Sequence, residues 1–362
     1  MFRPGEKKGK VTKPFLTLES ATDSRSKATP LSNGSRTSSY DGSGFSNQNT
    51  CTNGSLHMFT YSQMKTATKN FRRSHRIGEG GFGVVYKGFL DEKTLAPLAS
   101  GHKIIVAIKK LNTHGMQGHD EWVTEVKLLG ALRHPNIVRL IGFCAKDESR
   151  LLVYEYMSRG SLENHLFADL SKSHRKVLSW EIRMKIAVGA ARGLEYLHNA
   201  KTQIIYRDFK AANILLDDQF NAKLSDFGLA TYGPSGDDTH VSTRVLGTYG
   251  YAAPEYLATG HLSSRSDVYS FGVVLLELLS GRPALGIETQ SSEELKVVDW
   301  ARPYLHSREQ VHHIMDPKLN GKYPPEGAIR VVRVASLCLQ MFAKARPTMK
   351  EVVKSLEPLL TT

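Results

Sequence analysis

The stretch "IIYRDFKAANILLD", residues 204–217, places side chains suited to phosphate chemistry between two apolar runs. Asp208 offers a carboxylate that could accept a proton from an attacking hydroxyl, and Lys210 could neutralise a phosphoryl group during its transfer. Asn213 offers an amide oxygen, and Asp226 in "SDFG" follows thirteen residues later with a carboxylate. Mg²⁺ is a hard ion that prefers oxygen ligands of this kind. These residues therefore predict a site for metal-assisted phosphoryl transfer.

A second set of candidate residues lies upstream, where the pattern is strand-like. "GEGGFGVV" contains Gly78, Gly80 and Gly83, and glycines let backbone N–H groups approach phosphate oxygens. Dinucleotide-binding turns share this spacing but require a helix after the glycines, whereas a strand, "VVYKGFL", follows here. In "VAIKK", Lys109 lies on a predicted strand, and Glu125 follows sixteen residues later in an amphipathic helix. A Lys–Glu pair between them would hold the ammonium toward phosphate oxygens.

The elements that must position these residues fall into two parts. Residues 72–157 contain several strand-like runs and one amphipathic helix, "HDEWVTEVKLLGAL", whereas residues 158–358 are mostly helical in pattern. We therefore predict an α+β protein with two lobes, a β-rich N-lobe and a helical C-lobe. Clefts between such lobes are favoured ligand sites, so the polar residues are expected to line the cleft.

The part of the chain before these lobes differs in composition. Residues 1–57 are rich in Ser, Thr, Gly and Asn, and we expect them to form a disordered tail. Residues 58–71 carry apolar side chains at roughly helical spacing and predict a helix that flanks the first lobe. The basic residues at the start of the tail, which could attract anionic lipid weakly, are Arg3, Lys7, Lys8, Lys10 and Lys13.

Composition and charge narrow the classes of partner and of site that the protein could have. The net charge of +13 would suit nucleic acid, an anionic membrane or a phosphorylated partner. The basic residues are dispersed, however, and we expect no nucleic-acid partner. The spacing of Cys51, Cys144 and Cys338 fits neither a disulfide framework nor a zinc site. Phe2 does not fit an N-myristoylation site, and the most apolar run, "FGVVLLELLSG", carries Glu277 and is shorter than the about 20 residues of a membrane span.

Taken in order, the motifs resemble the signature of eukaryotic protein kinases. The glycine-rich hairpin, Lys109, Glu125, "YRDFKAAN", "DFG" and "APE" occur with ordinary spacing over roughly residues 70–358. The resemblance implies a bilobal kinase fold that binds ATP and Mg²⁺, with Mn²⁺ as an alternative ion, and that transfers phosphate to a protein hydroxyl. Lys210, together with Thr248 in "GTYGYAAPE", resembles serine/threonine rather than tyrosine kinases.

Longer stretches resemble the plant receptor-like cytoplasmic kinases. They include "FTYSQMKTATKNF", "LVYEYMSRGSLENHLF" and "HVSTRVLGTYGYAAPEY". The resemblance implies protein substrates, an upstream receptor kinase and a role in plant defence or development. It also implies a cytoplasmic location, with the inner face of the plasma membrane as a peripheral alternative. A catalytically silent scaffold is the rival interpretation, but it predicts loss of Lys109, Asp208 or Asp226, and all three are present.

Further site residues follow from the resemblance, motif by motif. Those expected to contact the nucleotide are Ile77, Gly78, Glu79, Gly80, Gly81, Phe82, Gly83, Val84, Val85, Ala107, Lys109, Tyr154, Glu155, Met157 and Leu215. Activation-segment hydroxyls expected to be phosphorylated, with Arg207 as part of a phosphate-binding pocket, are those of Thr239, Ser242, Thr243 and Thr248. Residues expected to support the site are Tyr206 against Phe227, Glu255 paired with Arg346, and Asp267 behind the catalytic loop. Tyr206 replaces the histidine of most kinases.

Overall fold

The computed structural model describes residues 56–80, 83–98, 102–112, 116–167, 176–287 and 294–360. Residues 1–55 of the predicted tail lie outside the described residues, as do Gly81 and Phe82 of the glycine-rich segment. The predicted bilobal α+β fold is confirmed, with a β-sheet N-lobe followed by a helical C-lobe. The predicted domain limits at residues 58–71 and 72–358 stay predictions.

The N-lobe is built on a six-stranded sheet. Its strands are β1 His57–Met58, β2 Arg76–Gly80, β3 Gly83–Asp91, β4 Lys103–Leu111, β5 Leu140–Lys146 and β6 Ser149–Glu155. Their order is β1-β5-β6-β4-β3-β2, antiparallel except where β1 joins β5. The sequence "KIIVAIKKL" suits the central strand β4, because β-branched residues pack well on a pleated surface. Its side chains alternate between the two faces of the sheet.

A short helix, α1 Tyr61–Ala67, packs on the outer face of this sheet. It begins at a capping box, in which the Thr60 hydroxyl accepts from the Gln63 N–H at 3.2 Å and the Gln63 side chain accepts from the Thr60 N–H at 2.8 Å. Met64 and Ala67 are buried with Phe59 against the sheet. The flanking segment is therefore an integral layer of the N-lobe.

This helix is shorter than the prediction of a helix over residues 58–71. The chain before it forms β1 instead, and the chain after it turns because Lys69, Asn70 and Phe71 have positive φ values of 51°, 62° and 51°. The buried Thr68 stabilises this turn, since its hydroxyl accepts from the Phe71 N–H at 3.0 Å and donates to the Met64 carbonyl at 2.8 Å. Apolar spacing continued past the helix end because Phe71 packs back against β3.

The inner face of the sheet is covered by α2 Met116–Ala131. Trp122 is buried at this contact, and its indole N–H donates to the Leu151 carbonyl at 3.1 Å. The C-lobe helices are α3 Glu163–Leu166, α4 Trp180–His198, α5 Pro254–Thr259, α6 Ser264–Ser280, α7 Val297–Ala301, α8 Pro325–Cys338 and α9 Met349–Leu356. Within the described ranges, no helix is long and apolar enough to cross a membrane.

Short strands frame the loops of the C-lobe. They are β7 Gly160–Ser161, β8 Ile204–Ile205, β9 Ile214–Leu216, β10 Ala222–Leu224, β11 Thr231–Tyr232, β12 Val241–Ser242, β13 His261–Leu262, β14 Leu285–Ile287 and β15 Glu294–Lys296. The loop that carries Asp208 precedes the hairpin of β9 and β10, and the "DFG" segment follows this hairpin directly. The two catalytic motifs are thus brought to one end of the same hairpin.

The C-lobe core surrounds α6, whose residues from Ser266 to Ser280 are nearly all buried. A buried ion pair that the sequence analysis did not predict joins this core together. Arg183 on α4 donates to Asp316 Oδ2 at 2.6 Å, to the Leu278 carbonyl at 2.7 Å and to the Leu178 carbonyl at 2.9 Å. Because it bonds three separate segments, this guanidinium fixes α4 against the end of α6.

Candidate active site

A buried ammonium between two carboxylates joins the lobes. Lys109 Nζ lies 2.6 Å from Glu125 Oε1 and 2.8 Å from Asp226 Oδ1. Lys109 is on β4, which hydrogen-bonds to β3 on one side and β6 on the other, and Glu125 is on α2. Asp226 follows β10 in the C-lobe, with a left-handed φ of 61°. The predicted Lys–Glu pair is therefore formed, and it is extended to the "DFG" aspartate.

Burial and charge act in opposite directions in this cluster. Burial disfavours the Lys109 ammonium, but the carboxylates of Asp226 and Glu125 outweigh it and raise the pKa of Lys109. Burial would raise the pKa of Asp226, but the ammonium of Lys109 lowers it below the usual value. For Glu125 burial prevails, and its pKa is raised. Lys109 is thus a permanent cation whose charge is presented next to Asp226.

Tyr154 supports the cluster from β6. Its hydroxyl donates a hydrogen bond to Glu125 Oε2, while Lys109 donates to Oε1 of the same carboxylate at 2.6 Å. Burial, followed by the charge of Glu125, raises the pKa of Tyr154 well above its usual value, so the phenol remains a donor. Sequence reasoning had placed Tyr154 at the back of a nucleotide pocket and had missed this bond, since nothing local in the sequence links the two residues.

The catalytic loop forms a second polar cluster around Asp208. Lys210 Nζ lies 2.7 Å from Asp208 Oδ2, and the Thr248 hydroxyl donates to Asp208 Oδ1 at 2.6 Å. Lys210 also donates to the Thr248 hydroxyl at 2.8 Å, so the three side chains close a ring. Asn213 Nδ2 donates to the Asp208 carbonyl at 2.9 Å and to Oδ2 at 3.1 Å. The Asp208 carboxylate is thereby held in one orientation.

The backbone of this loop is fixed by Asp267 on α6. Its two carboxylate oxygens accept from the N–H groups of Tyr206 and Arg207, each at 2.8 Å, and His198 Nε2 lies 2.8 Å from Oδ2. Arg207 has a φ of 72°, a conformation that costs about 1–3 kcal/mol for a non-glycine residue. Hydrogen bonds to a charged acceptor can offset a cost of that size. Asp267 therefore lies where sequence reasoning placed it.

Tyr206 connects the loop to the "DFG" segment. Its ring lies 5.1 Å from that of Phe227 in an edge-on contact, and its hydroxyl donates to the Ser225 carbonyl. The Ser225 N–H and hydroxyl both donate to the Asn213 carbonyl at 3.0 Å. The hydrogen bonds of Ser225 therefore link Asn213 to the residue that precedes Asp226. Tyr206 thus contributes both a ring contact to Phe227 and a hydrogen bond to the backbone.

The donor set fits a magnesium ion. Asn213 and Asp226 provide an amide oxygen and a carboxylate, and Mg²⁺ is usually held by one or two such groups together with phosphate oxygens and water. Among the described residues, no group of three His, Cys, Asp or Glu side chains could hold a metal.

Most of the predicted nucleotide-contacting residues lie on β2, β3, β4 and β6 of the N-lobe, whereas Leu215 lies on β9 of the C-lobe. β2 and β3 form an antiparallel hairpin that pairs Gly80 with Gly83, as the strand after the glycines predicts. Gly83 cannot be replaced, since a Cβ there would lie 2.1 Å from the Lys110 carbonyl. In register, Val85 lies opposite Lys109 and Ala107 opposite Tyr154. The remaining described members of this set are Ile77, Gly78, Glu79, Val84, Glu155, Met157 and Leu215.

Glu155 also links the lobes. The Lys223 ammonium donates to its two oxygens at 2.8 Å and 3.0 Å, and the Arg139 N–H donates to Oε1 at 2.7 Å. Lys223 lies on β10, so the segment that leaves the N-lobe is tied to the hairpin that positions Asp226. The sequence analysis had predicted Glu155 only as a nucleotide contact.

The activation segment places its predicted phosphorylation residues in three settings. Thr243 accepts a hydrogen bond from the Arg207 guanidinium at 3.0 Å, and the same guanidinium donates to the Tyr256 hydroxyl at 2.9 Å. Ser242, on β12, and Thr239 are exposed. Thr248 differs, because its hydroxyl is bound within the Asp208 cluster. Of the four, Thr243 is the one in contact with the predicted phosphate-binding arginine.

The end of the activation segment is anchored by the predicted pair of Glu255 and Arg346. The guanidinium donates to both carboxylate oxygens, at 2.7 Å and 2.6 Å, and Arg346 is buried. Arg346 also donates to the carbonyls of Arg265 and Gln340, at 2.9 Å and 2.8 Å. This bidentate arrangement holds the "APE" motif against the beginning of α6.

Sequence reasoning missed the role of Glu277. This residue is fully buried on α6, where its Oε1 accepts from the Tyr251 hydroxyl and from the Ala284 N–H, each at 2.8 Å. Its Oε2 is buried without a partner among the described residues. Burial raises the pKa of Glu277 to about 8. A single carboxylate in the apolar run "FGVVLLELLSG" was the signal that could have revealed it.

Two polar clusters where a β-sheet lobe meets a helical lobe, with oxygen groups of the kind that Mg²⁺ prefers, are typical of a protein kinase. Residues 71–356 match the family described as "Protein tyrosine and serine/threonine kinase", and the chain belongs to it. Kinases of this family generally use ATP and Mg²⁺.

Similar proteins show to which group of protein kinases the chain belongs. The probable serine/threonine-protein kinase PBL11 of Arabidopsis thaliana is 58% identical over 307 residues, 85% of this chain and 78% of that protein. Receptor-like cytoplasmic kinase 176 of Oryza sativa subsp. japonica is 57% identical over 301 residues, 83% of this chain and 75% of that protein. The serine/threonine-protein kinase BIK1 of Arabidopsis thaliana is 56% identical with the same coverage. The chain is accordingly a serine/threonine protein kinase of the receptor-like cytoplasmic type.

The buried Glu277 gives a testable pH dependence. In the unfolded chain it ionises above about 4.5, whereas in the folded protein it stays protonated up to about 8. The unfolded state therefore binds fewer protons in this window, and Glu277 makes the free energy of unfolding fall as the pH rises. Glu277→Gln, a neutral isostere, should remove this contribution.

We expect the variant to gain stability relative to the wild type between pH 5 and pH 8, as measured by urea denaturation. The matched control is Glu148→Gln, at an exposed position. A constant difference between Glu277→Gln and wild type across this range would contradict the assignment.

Proposed function

We propose that this kinase transfers the γ-phosphate of ATP to Ser or Thr hydroxyls of proteins by means of the two clusters. The observation that carries the proposal is their connection. Asp226 follows Ser225, which donates to Asn213, and Asn213 donates to Asp208. The groups suited to hold the metal ion and the group suited to accept a proton thus belong to one hydrogen-bonded unit.

Each side chain has a role that its contacts support. Asp208, oriented by Lys210 and Asn213, accepts the proton of the substrate hydroxyl. Lys109, held by Glu125, contacts phosphate oxygens, and Lys210 stabilises the charge on the transferred group. Catalysis of this kind consists mainly of positioning and charge neutralisation.

Nucleotide binding is proposed for the cleft side of the N-lobe. Val85 and Ala107 cover the adenine ring from above and Leu215 from below, while the backbone groups of Glu155 and Met157 meet its edge. Mg²⁺, or Mn²⁺ in its place, would be held by Asn213 and Asp226 and would neutralise phosphate charge. Gly81 and Phe82 belong to the proposed set but lie outside the described residues.

Activation by phosphorylation is the second part of the proposal. A phosphate on Thr243 would face the Arg207 guanidinium, which could order the segment through charge-assisted hydrogen bonds. A phosphate on Thr248 would instead place negative charge against Asp208, so modification there should inhibit. Ser242 and Thr239 are accessible to an upstream kinase.

We also propose the cellular setting that the similar proteins suggest. The chain would act in the cytoplasm, receive its activating phosphate from a plant receptor kinase and pass the signal to protein substrates. The pathway, defence or development, is left open. Its contact with the inner face of the plasma membrane would be weak if the basic tail alone provided it.

The catalytic role of Asp208 can be tested by Asp208→Asn in the full chain with Mg²⁺-ATP and a generic Ser/Thr protein substrate. We expect kcat to fall by about 10²–10⁴-fold, the usual contribution of general base catalysis. Phosphopeptide mass spectrometry reports both rate and site. Asp218→Asn is the matched control, since Asp218 is exposed in the turn between β9 and β10. Equal activity of both variants would refute the proposed role, whereas absence of transfer by the wild type as well would favour a scaffold.

The role of Thr243 can be tested after phosphatase treatment. We expect activity to fall and to recover on rephosphorylation, and we expect Thr243→Ala to reduce the recovery about fivefold or more, within the usual range of coupling energies. Thr239→Ala is the control, because this hydroxyl is exposed and lies away from Arg207. Full recovery in Thr243→Ala would show that another hydroxyl carries the activating phosphate.

A further inference from the structure

The segment after α1 concentrates positive charge on the outside of the N-lobe. Residues 65–76, "KTATKNFRRSHR", contain five Lys or Arg and no Asp or Glu. Arg76 pairs with Glu79 and is neutralised. The other four are exposed and form no ion pair with a described residue, and we call them the cationic face: Lys65, Lys69, Arg72 and Arg73.

The backbone holds these four side chains together. The Asn70 N–H donates to the Lys65 carbonyl at 2.6 Å, so the turn folds back onto the last part of α1. The Arg72 N–H donates to the Thr68 carbonyl at 3.3 Å, and the three left-handed residues fix the direction of the chain between them. The cationic face is therefore a preformed surface rather than a set of independent charges.

The surroundings add charge and aromatic surface. Lys110 Nζ lies 4.9 Å from the centre of the Phe71 ring and 5.9 Å from that of Tyr61. On β4, Lys109 faces Glu125 on α2, so the alternation of the strand places Lys110 on the opposite face, where α1 packs. A partner bound to the outer layer would leave the Lys109 side of the sheet open.

We propose that the cationic face docks on the phosphate groups of an anionic lipid bilayer. The segment carries four long, exposed cations and no acidic residue, and this charge complements a laterally continuous anionic surface. Juxtaposed basic residues are attracted to anionic leaflets, and the attraction increases with each Lys or Arg near the surface.

The sequence of the tail adds a second basic segment to the proposed bilayer contact. The first thirteen residues carry five further basic residues on the same chain. Stable attachment to membranes generally takes two signals, and linked sites bind together more strongly than either site alone. The cationic face supplies a second electrostatic contact that is built into the folded lobe.

The test compares two full-length variants with equal changes in charge. The face variant is Lys65→Gln/Lys69→Gln/Arg72→Gln/Arg73→Gln. The control variant neutralises four exposed basic residues of the C-lobe, Lys318→Gln/Lys322→Gln/Arg330→Gln/Lys350→Gln. Binding is measured by co-sedimentation with phosphatidylcholine vesicles that contain or lack phosphatidylserine, near physiological salt.

We expect wild type and control to bind the phosphatidylserine vesicles and the face variant to bind about tenfold or more weakly, because four contacts are removed. Kinase activity and thermal melting should be the same in all three proteins. If the face variant does not fold, Arg72→Gln/Arg73→Gln, confined to the exposed turn, should show an intermediate loss.

Several results would overturn the proposal. They are equal binding by the face variant and wild type, an equal loss in both charge variants, and wild-type binding that does not depend on phosphatidylserine. Displacement of the vesicles by duplex DNA or RNA at the same salt would identify nucleic acid as the partner instead.

Discussion

The ammonium of Lys109 between the carboxylates of Glu125 and Asp226 is the interaction on which the rest of the structure depends. It requires β4 to lie in register between β3 and β6, α2 to cover the inner face of the sheet, and the "DFG" segment to approach from the C-lobe. Burying one cation with two carboxylates is an expensive arrangement if stability is its only purpose, since desolvation can exceed the Coulombic gain. We propose that its purpose is to present a fixed positive charge to phosphate.

In the C-lobe, the main constraint is that the irregular backbone of the catalytic loop must be held in place. The catalytic loop contains Arg207 in a left-handed conformation, and it holds that shape because a carboxylate from the buried core helix α6 accepts two of its backbone N–H groups. α6 is itself fixed by the guanidinium of Arg183, and the bidentate pair of Arg346 and Glu255 holds the activation segment to its beginning. Buried charges here serve as positioning devices, and each one is paired or hydrogen-bonded.

Much of the site could be predicted from local patterns. The strand after "GEGGFGVV" indicated a hairpin, and the structure has β2 and β3 there. The strand–helix pair of Lys109 and Glu125 formed as expected. By contrast, the bonds of Tyr154 to Glu125, of Thr248 to Asp208 and of Arg183 to Asp316 join residues far apart in sequence.

No periodicity or motif fixes such partners, because they depend on how the elements pack. The helix α1 shows that an apolar pattern can also predict a helix that is too long. Apolar spacing extends to Phe71, yet the helix ends at Ala67, since the spacing reports burial rather than helical backbone. A turn as well as a helix can place an apolar residue in a buried position.

The most direct test of this account is the effect of Glu125→Gln on catalysis and on stability in parallel. The change keeps the shape of the side chain but removes the carboxylate that orients Lys109. The account predicts that kcat falls by about 10²-fold, as expected for a misplaced catalytic group, and that the thermal midpoint falls because one partner of a buried ion pair is removed. The exposed Glu148→Gln serves as control. An unchanged kcat in Glu125→Gln would contradict the claim that the buried ion pair assembles the site.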